Sequence, residues 1–126
     1  MTNYKTNDQI LQTVFGLLAG LPVNKYTLVK PTKNTDSEYI VLNALPINAD
    51  VMQKCIVNVN YHVKDIADGV PNLARLEAGA QSVLAILRKV STTTYMIDFE
   101  GQELFQEQAQ REHFTNLRFS YININT

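Results

Sequence analysis

Residues 52–63, MQKCIVNVNYHV, alternate apolar and polar side chains over a long run. One face collects the apolar side chains Cys55, Val57, Val59, Tyr61 and Val63, and the other collects Lys54, Asn58, Asn60 and His62. A repeat of two residues is the repeat of a β-strand. The stretch therefore predicts a strand with one face on a core and the other in water or in an aqueous channel. Ile56 is the apolar exception on the polar face.

Two amphipathic helices are predicted on either side of this strand. Residues 7–19 and about 72–89 place apolar side chains at the three-and-four spacing of one helical face. Thr6 and Gln9 fit a capping box, in which the threonine side chain bonds the first free amides of the helix. Pro71 suits the entry of the second helix, where its missing N–H costs little.

The remaining elements are strands and loops. Strands are predicted at 26–30, 38–45, 92–99 and 114–124, where aromatic, β-branched or alternating residues dominate, and a turn at 46–50. Residues 102–112 have a helix-like composition, but we favour an exposed strand because a strong strand follows directly. The order predicts an α+β fold, with two helices packed on one face of a mainly antiparallel sheet of four to six strands.

The overall composition indicates one globular domain, residues 1–126. Apolar residues make up 45% of the chain and charged residues 18%, and the net charge is −1. A charge so close to zero provides no basic excess for holding nucleic acid. Cys55 is the one cysteine and cannot form an internal disulfide, and no apolar run reaches the ~20 residues that span a membrane. We expect a protein made in a cytoplasm, with no membrane association.

The search for catalytic chemistry gives one weak metal site and no cofactor. His62, Asp65 and Asp68 stand three residues apart just past the best strand. A catalytic metal site needs three firmly held ligands and a supporting second layer of contacts. A loop with Gly69 and Pro71 holds these residues loosely, so the two aspartates are better explained as loop-capping residues. Nucleophile elbows and phosphate-binding loops are absent from the sequence.

The charged residues predict contact surfaces. Asp98, Glu100, Glu103, Glu107 and Glu112 fall within fifteen residues, among several glutamines. Such a run is most often a solvated face. It is also suited to the wall of a channel along which DNA slides, or to contact with a basic patch of Lys25, Lys30 and Lys33 on a neighbouring subunit. The candidate segments are 31–37, 46–51 and 102–112. The interface or lumen residues predicted from this are Lys30, Lys33, Asp36, Asp50, Glu100, Glu103, Glu107, Gln108, Arg111 and Glu112.

The order of segments resembles one protein family across nearly the whole chain. EYIVLNAL at 38–45 is followed by KCIVNVNYHVKD at 54–65, PNLARLEAGAQSVLAIL at 71–87 and HFTNLRFSYININ at 113–125. This layout resembles the tail-completion, or tail-terminator, proteins of long-tailed bacteriophages and prophages. The resemblance implies a curved sheet and a homo-oligomeric ring, commonly hexameric, at the head-proximal end of the tail tube.

The same resemblance implies a role and a set of partners. The ring stops growth of the tail tube, joins it to the head connector protein, and lets DNA pass through its centre without specific binding. No active site, catalytic residue or cofactor comes with the family, so we expect a structural virion assembly protein and not an enzyme. It is expected in the cytoplasm of the bacterial host during assembly and afterwards in the virion tail.

Two other functions stay open on the sequence. A small metal-dependent enzyme needs His62, Asp65 and Asp68 to converge in a cleft. A monomeric module that binds a small ligand or a peptide needs an apolar pocket with a few convergent polar groups.

Overall fold

The computed structural model describes residues 5–30, 36–49 and 53–124, with the backbone alone for 46–49. Its elements are α1 (Asn7–Leu17), β1 (Asn24–Thr27), β2 (Glu38–Ala49), β3 (Gln53–Lys64), α2 (Leu73–Leu87), β4 (Lys89–Ser91), β5 (Tyr95–Glu107) and β6 (Glu112–Asn123), with a short 3₁₀ helix at Gln108–Gln110. The predicted order of helix, three strands, helix and further strands is confirmed. The fold is α+β.

The six strands form one curled sheet in the order β1-β2-β3-β6-β5-β4. All neighbouring pairs are antiparallel except β1 and β2, which run parallel. The sheet is therefore mixed. In the parallel pair, the start of β2 lies beside the start of β1, with Asn24 level with Tyr39.

Two predicted boundaries in the first half of the chain were wrong. The strand expected at 26–30 ends at Thr27, because Leu28 adopts a φ of 71° and leaves the extended region. The turn expected at 46–50 is instead the end of β2, as far as Ala49, with a bulge between Pro46 and Asn48. Proline lacks an N–H and is tolerated in an outer strand. That condition is met because β1 covers β2 only at residues 39–42.

The ambiguous stretch 102–112 begins as the exposed strand that we favoured. β5 continues to Glu107, and Gln108–Gln110 then turn the chain into β6. Arg111 completes the turn with a φ of 52°. β5 and β6 thus form a long hairpin, which explains how a segment of helix-like composition is held extended. Cross-strand contacts with β6 outweigh the weak local preference.

The core forms on the predicted apolar face of β3. That face forms one apolar cluster with the buried side chains in and next to the two helices. The helix side of the cluster consists of Ile10, Leu11, Val14, Leu18, Leu76, Ala80, Val83, Leu84 and Leu87. α2 and β3 approach closely at Gly79, where an added methyl group would collide with the ring of Tyr61. Glycine is required there because the tyrosine ring lies directly against the backbone of α2.

Local capping agrees with the sequence at α1 and differs at α2. The backbone N–H of Gln9 donates to the Thr6 hydroxyl at 3.1 Å, and the Thr6 N–H donates to the Gln9 side chain at 2.8 Å. The predicted capping box is therefore confirmed. At α2 the capping residue is Asn72, whose side chain accepts from the N–H of Arg75 at 3.2 Å. Pro71 lies just outside the helix.

Candidate functional site

The polar face of the sheet, which carries the even-numbered residues of β3, bears a network of asparagine side chains. Asn58 donates to Asn43 at 2.8 Å, and Asn116 donates to Asn58 at 3.2 Å and to Asn60 at 2.7 Å. The four amides link β2, β3 and β6 across the middle of this face. Amides remain neutral at every pH and bind water well, so this region is hydrophilic without carrying a charge.

Next to the amides, an aromatic row crosses five strands at nearly one level. It runs from Tyr26 on β1 through Tyr39 on β2, His62 on β3 and Phe114 on β6 to Phe105 on β5. The ring centroids are 6.0, 4.5, 4.6 and 5.2 Å apart in that order. Tyr39 and His62 are buried, whereas Phe105 is 40% exposed at the outer end of the aromatic row.

A carboxylate, Glu112, is buried against the middle of the aromatic row. The Tyr39 hydroxyl donates to its Oε1, and the Nδ1 of His62 lies 3.0 Å from the same oxygen. The Nζ of Lys30 lies 3.6 Å from Oε1, and the Nζ of Lys64 lies 3.6 Å from Oε2. Within the described residues Oε2 accepts no hydrogen bond. Lys64 is therefore its nearest compensating charge.

The electrostatics of this cluster keep Glu112 ionised. Burial alone raises the pKa of Glu112, but hydrogen bonds from His62 and Tyr39, together with attraction to His62 and Lys30, outweigh it and lower the pKa to about 2. Burial and the bond to Glu112 raise the pKa of Tyr39, which stays neutral. A fully buried carboxylate with so low a pKa is a poor general base. The cluster stabilises the fold.

This burial corrects the prediction for Glu112. The residue was expected at an interface or a lumen, but its side chain is 0% exposed and cannot line either surface of the single chain. Lys30, expected to meet acidic residues of a neighbour, lies near Glu112 of its own chain and 5.1 Å above the Tyr39 ring. His62, predicted to face water, is buried because its ring is stacked between those of Tyr39 and Phe114.

The three predicted metal ligands do not converge. His62 bonds Glu112, whereas Asp65 lies 2.7 Å from His113 in a separate pair, and Asp68 is exposed in the turn before α2. No group of three or more His, Cys, Asp or Glu side chains able to hold a metal occurs in the described part of the chain. Cys55 lies in the core, and burial raises the pKa of its thiol.

The other predicted contact residues occupy three places. Asp36 accepts hydrogen bonds from Asn24 at 3.0 Å and from the Tyr26 hydroxyl at 2.7 Å, beside β1. Lys33 and Asp50 lie outside the described residues. The rest belong to the β5–β6 hairpin: Glu100 in a bulge, Glu103 and Glu107 on β5, and Gln108 and Arg111 in its turn.

Part of the predicted contact segment 102–112 lies on an outer border of β5, and the sequence alone did not show that this border is uncovered. β4 covers β5 only at residues 96–98, and the last outer contact is the Phe99 N–H bonded to the Arg88 carbonyl at 3.0 Å. From Glu100 to Glu107, the strand has β6 on one side and no described strand on the other. Leu104 and Phe105 are 45% and 40% exposed along this stretch, which we call the open edge of β5.

The polar face carries both signs of charge. Glu103 pairs across the hairpin with Asn116, and Gly101 pairs with Arg118, whose side chain is exposed. Lys54 is exposed farther along the same face. The acidic residues that stand together in the sequence are thus accompanied by bases from β3 and β6. The face is more nearly balanced than the run 98–112 predicted.

Comparison with known proteins gives no relative by sequence. Neither a protein-family model nor a curated protein matches this chain. In the described residues, no helix is both long and apolar enough to cross a membrane. The features that bear on function are therefore the polar face, the aromatic row and the open edge of β5.

Proposed function

We propose that this chain is a structural virion assembly protein of the tail-completion type. Copies of it form a ring that caps the phage tail tube, joins the tube to the head connector, and surrounds the channel through which DNA passes. Both helices cover one face of the sheet and lie on the outside of the ring. The polar face lies on the inside.

The observation that carries the proposal is the open edge of β5. An uncovered strand presents unpaired N–H and C=O groups, which readily pair with another chain. Short edge strands, prolines and charges normally protect such edges. The edge from Glu100 to Glu107 contains no proline and exposes Leu104 and Phe105, although three glutamates lie along it. This combination suits a regulated contact with another copy better than an isolated monomer.

The polar face supports the second half of the proposal. A channel for DNA must be wet and must not hold the phosphate backbone, which is bound mainly by clustered lysines and arginines. The asparagine network is neutral, and the exposed bases Lys54 and Arg118 are accompanied by the acids Glu103 and Glu107. A face of this kind has little net attraction for DNA. It is therefore suited to a passage.

The experiment is a measurement of assembly state with and without tail tubes. Purified protein at rising concentration is examined by size-exclusion chromatography with light scattering, and by electron microscopy alone and with purified tail tubes. We expect rings with a central hole, either free or at one end of each tube. A protein that stays monomeric at high concentration and does not bind tubes contradicts the proposal.

A ligand-binding module is a second candidate, favoured by one cavity. A space of about 270 Å³ lies between residues 28–30 and the polar face, and its lining includes Val41, Asn43, Asn60 and Phe114. This volume is close to the small end of ligand pockets. Widening the lining with Val41→Ala tests it, compared with Leu45→Ala at an exposed residue outside the lining. Loss of a ligand that copurifies with the parent protein supports this function, and a parent protein that carries no ligand contradicts it.

A further inference from the structure

The two outer strands of the sheet match each other in level. Following the pairing across the sheet, Asn24 on β1 stands level with Tyr39, and through His62 and Phe114 with Phe105 on β5. In the same way Thr27 stands level with Gln102. β1 and the open edge of β5 therefore lie at the same height on opposite borders of one sheet.

The directions and the faces of the two strands also allow them to pair. β1 runs parallel to β2. From β2 the sheet continues through β3 and β6 to β5, and each of these three neighbouring pairs is antiparallel. β1 and β5 therefore run in opposite directions. Tyr26 and Glu103 both lie on the polar face, and Lys25 and Leu104 both lie on the opposite face, because each pair shares a level and a pleat.

We propose that β5 of one copy pairs antiparallel with β1 of a second copy, with Gln102 opposite Thr27 and Phe105 opposite Asn24. This inference rests on the proposed function, because it names the contact by which the ring forms. The same operation repeated from copy to copy uses two different edges, so it is head-to-tail and is suited to a closed ring. The sheet continues from subunit to subunit without a step.

The aromatic row provides the side-chain contact at this junction. Its two ends are Tyr26 at one border of the sheet and Phe105 at the other. Phe105 is 40% exposed in the single chain, because it is the end ring and the other four rings of the aromatic row all lie to one side of it. In the proposed pairing Phe105 comes beside Asn24 and diagonal to Tyr26 of the next copy, within reach of an aromatic contact. The aromatic row then runs on through each junction.

Pairing of β5 with β5 of a second copy is the main competing arrangement. A twofold axis at Glu103 sets that residue opposite its own copy, and one at Phe105 sets Glu103 opposite Glu107. Like charges placed opposite each other across a strand pair are destabilising. β1 has no acidic residue in Asn24–Thr27 and contains Lys25, so it avoids this repulsion. The glutamates therefore act against a twofold dimer and leave the head-to-tail contact available.

Cysteine cross-linking tests the register. In a Cys55→Ala background, the double variant Thr27→Cys/Gln102→Cys and each single variant are treated with a short bis-maleimide at high protein concentration. Cross-linking within a chain is excluded, because β1 and β5 are four strand spacings, about 19 Å, apart. We expect a ladder up to the closed ring from the double variant and no ladder from either single variant. Lys25→Cys/Leu104→Cys is a second pair if the first does not fold.

The possible outcomes separate the register from the function. Dimers from the Gln102→Cys single variant mean that β5 pairs with itself, which overturns the proposal. Rings seen by light scattering that neither double variant cross-links also overturn it, while self-assembly stands. A protein that forms no oligomer, alone or on tail tubes, removes both this contact and the proposed function.

Discussion

Replacing Glu112 by glutamine is expected to destabilise the fold in a manner that depends on pH. Glutamine has nearly the same shape but no charge, so it leaves Lys30, Lys64 and His62 beside a neutral group. Its amide oxygen still accepts from the Tyr39 hydroxyl, as the carboxylate does. The variant therefore isolates the charge of a buried residue that sequence reasoning placed on the surface.

The magnitude follows from the pKa of Glu112. Its value falls from 4.5 to about 2 on folding, and each unit corresponds to about 1.4 kcal/mol, which gives an upper figure of about 3 kcal/mol. The Lys30 and Lys64 side chains are 21% and 41% exposed, and solvent screens part of their attraction. We expect a loss of about 2 kcal/mol at pH 7.

The sign of the pH dependence is fixed by the direction of the shift. A carboxylate whose pKa is lowered by folding stabilises the fold above its unfolded pKa, and this stability is lost as pH falls through the folded pKa. The difference between parent and Glu112→Gln should therefore be constant above pH 5. It should shrink below pH 4.5, to less than half by pH 3.

Urea unfolding at several pH values measures this difference. Glu103→Gln is the matched control, because Glu103 is an exposed glutamate on the same hairpin and should change the free energy of unfolding by less than about 0.5 kcal/mol. A Glu112→Gln variant as stable as the parent at pH 7 would refute the reasoning. So would a deficit that stays the same from pH 7 to pH 3, since that deficit would come from packing and not from charge.

Three further changes test other parts of the structure. Gly79→Ala should lower the free energy of unfolding by about 1–3 kcal/mol, because the added methyl meets the Tyr61 ring, whereas Gly16→Ala, with open space around it, should stabilise α1 by up to about 1 kcal/mol. Equal effects in urea unfolding would show that the contact of α2 with β3 is misplaced. Thr6→Ala should lower the free energy of unfolding by about 1 kcal/mol in the same assay, and Thr6→Ser should lower it by almost nothing. Equal losses from the two variants would contradict the capping box. Phe105→Ser should raise the protein concentration needed for assembly about tenfold, as loss of an aromatic contact of about 1.4 kcal/mol implies, while Leu45→Ser, also exposed, should not. Sedimentation velocity compares the two, and an equal effect of both would count against the junction.

Features that depend on neighbouring residues in the chain could be predicted from the sequence. The alternation of 52–63 gave the core face of β3, and the Thr6–Gln9 pair gave the start of α1, because both signals are local. An exposed strand at 102–112 was predicted because the strong strand β6 follows it directly. In each case a short stretch carries the physical cause of its own conformation.

Features that depend on distant partners could not be predicted in this way. Glu112 stands among acidic and polar residues in the sequence, yet Tyr39, His62 and Lys30 surround it from three other segments. His62 was assigned to water because its strand neighbours are polar, and its burial depends on the rings of Tyr39 and Phe114 from two other strands. The continuation of β2 past Pro46 depends on how little of that strand β1 covers.

The contact segment 102–112 was predicted, but that one border of β5 stays uncovered could not be predicted, for the same reason. A strand and its flanking turns can be inferred from composition, but which side of it stays uncovered depends on the length and position of β4. β4 has only three residues and covers only the first part of β5. No residue pattern within 95–107 indicates which side of β5 stays uncovered.

Native mass spectrometry over a series of protein concentrations tests the central proposal most directly, because it resolves each assembly by its mass. Head-to-tail joining of β5 to β1 predicts one closed species that grows from monomer as concentration rises, with six copies as the expected number. A dimer as the final species, or a monomer at every concentration that also forms no ring on tail tubes, would contradict it.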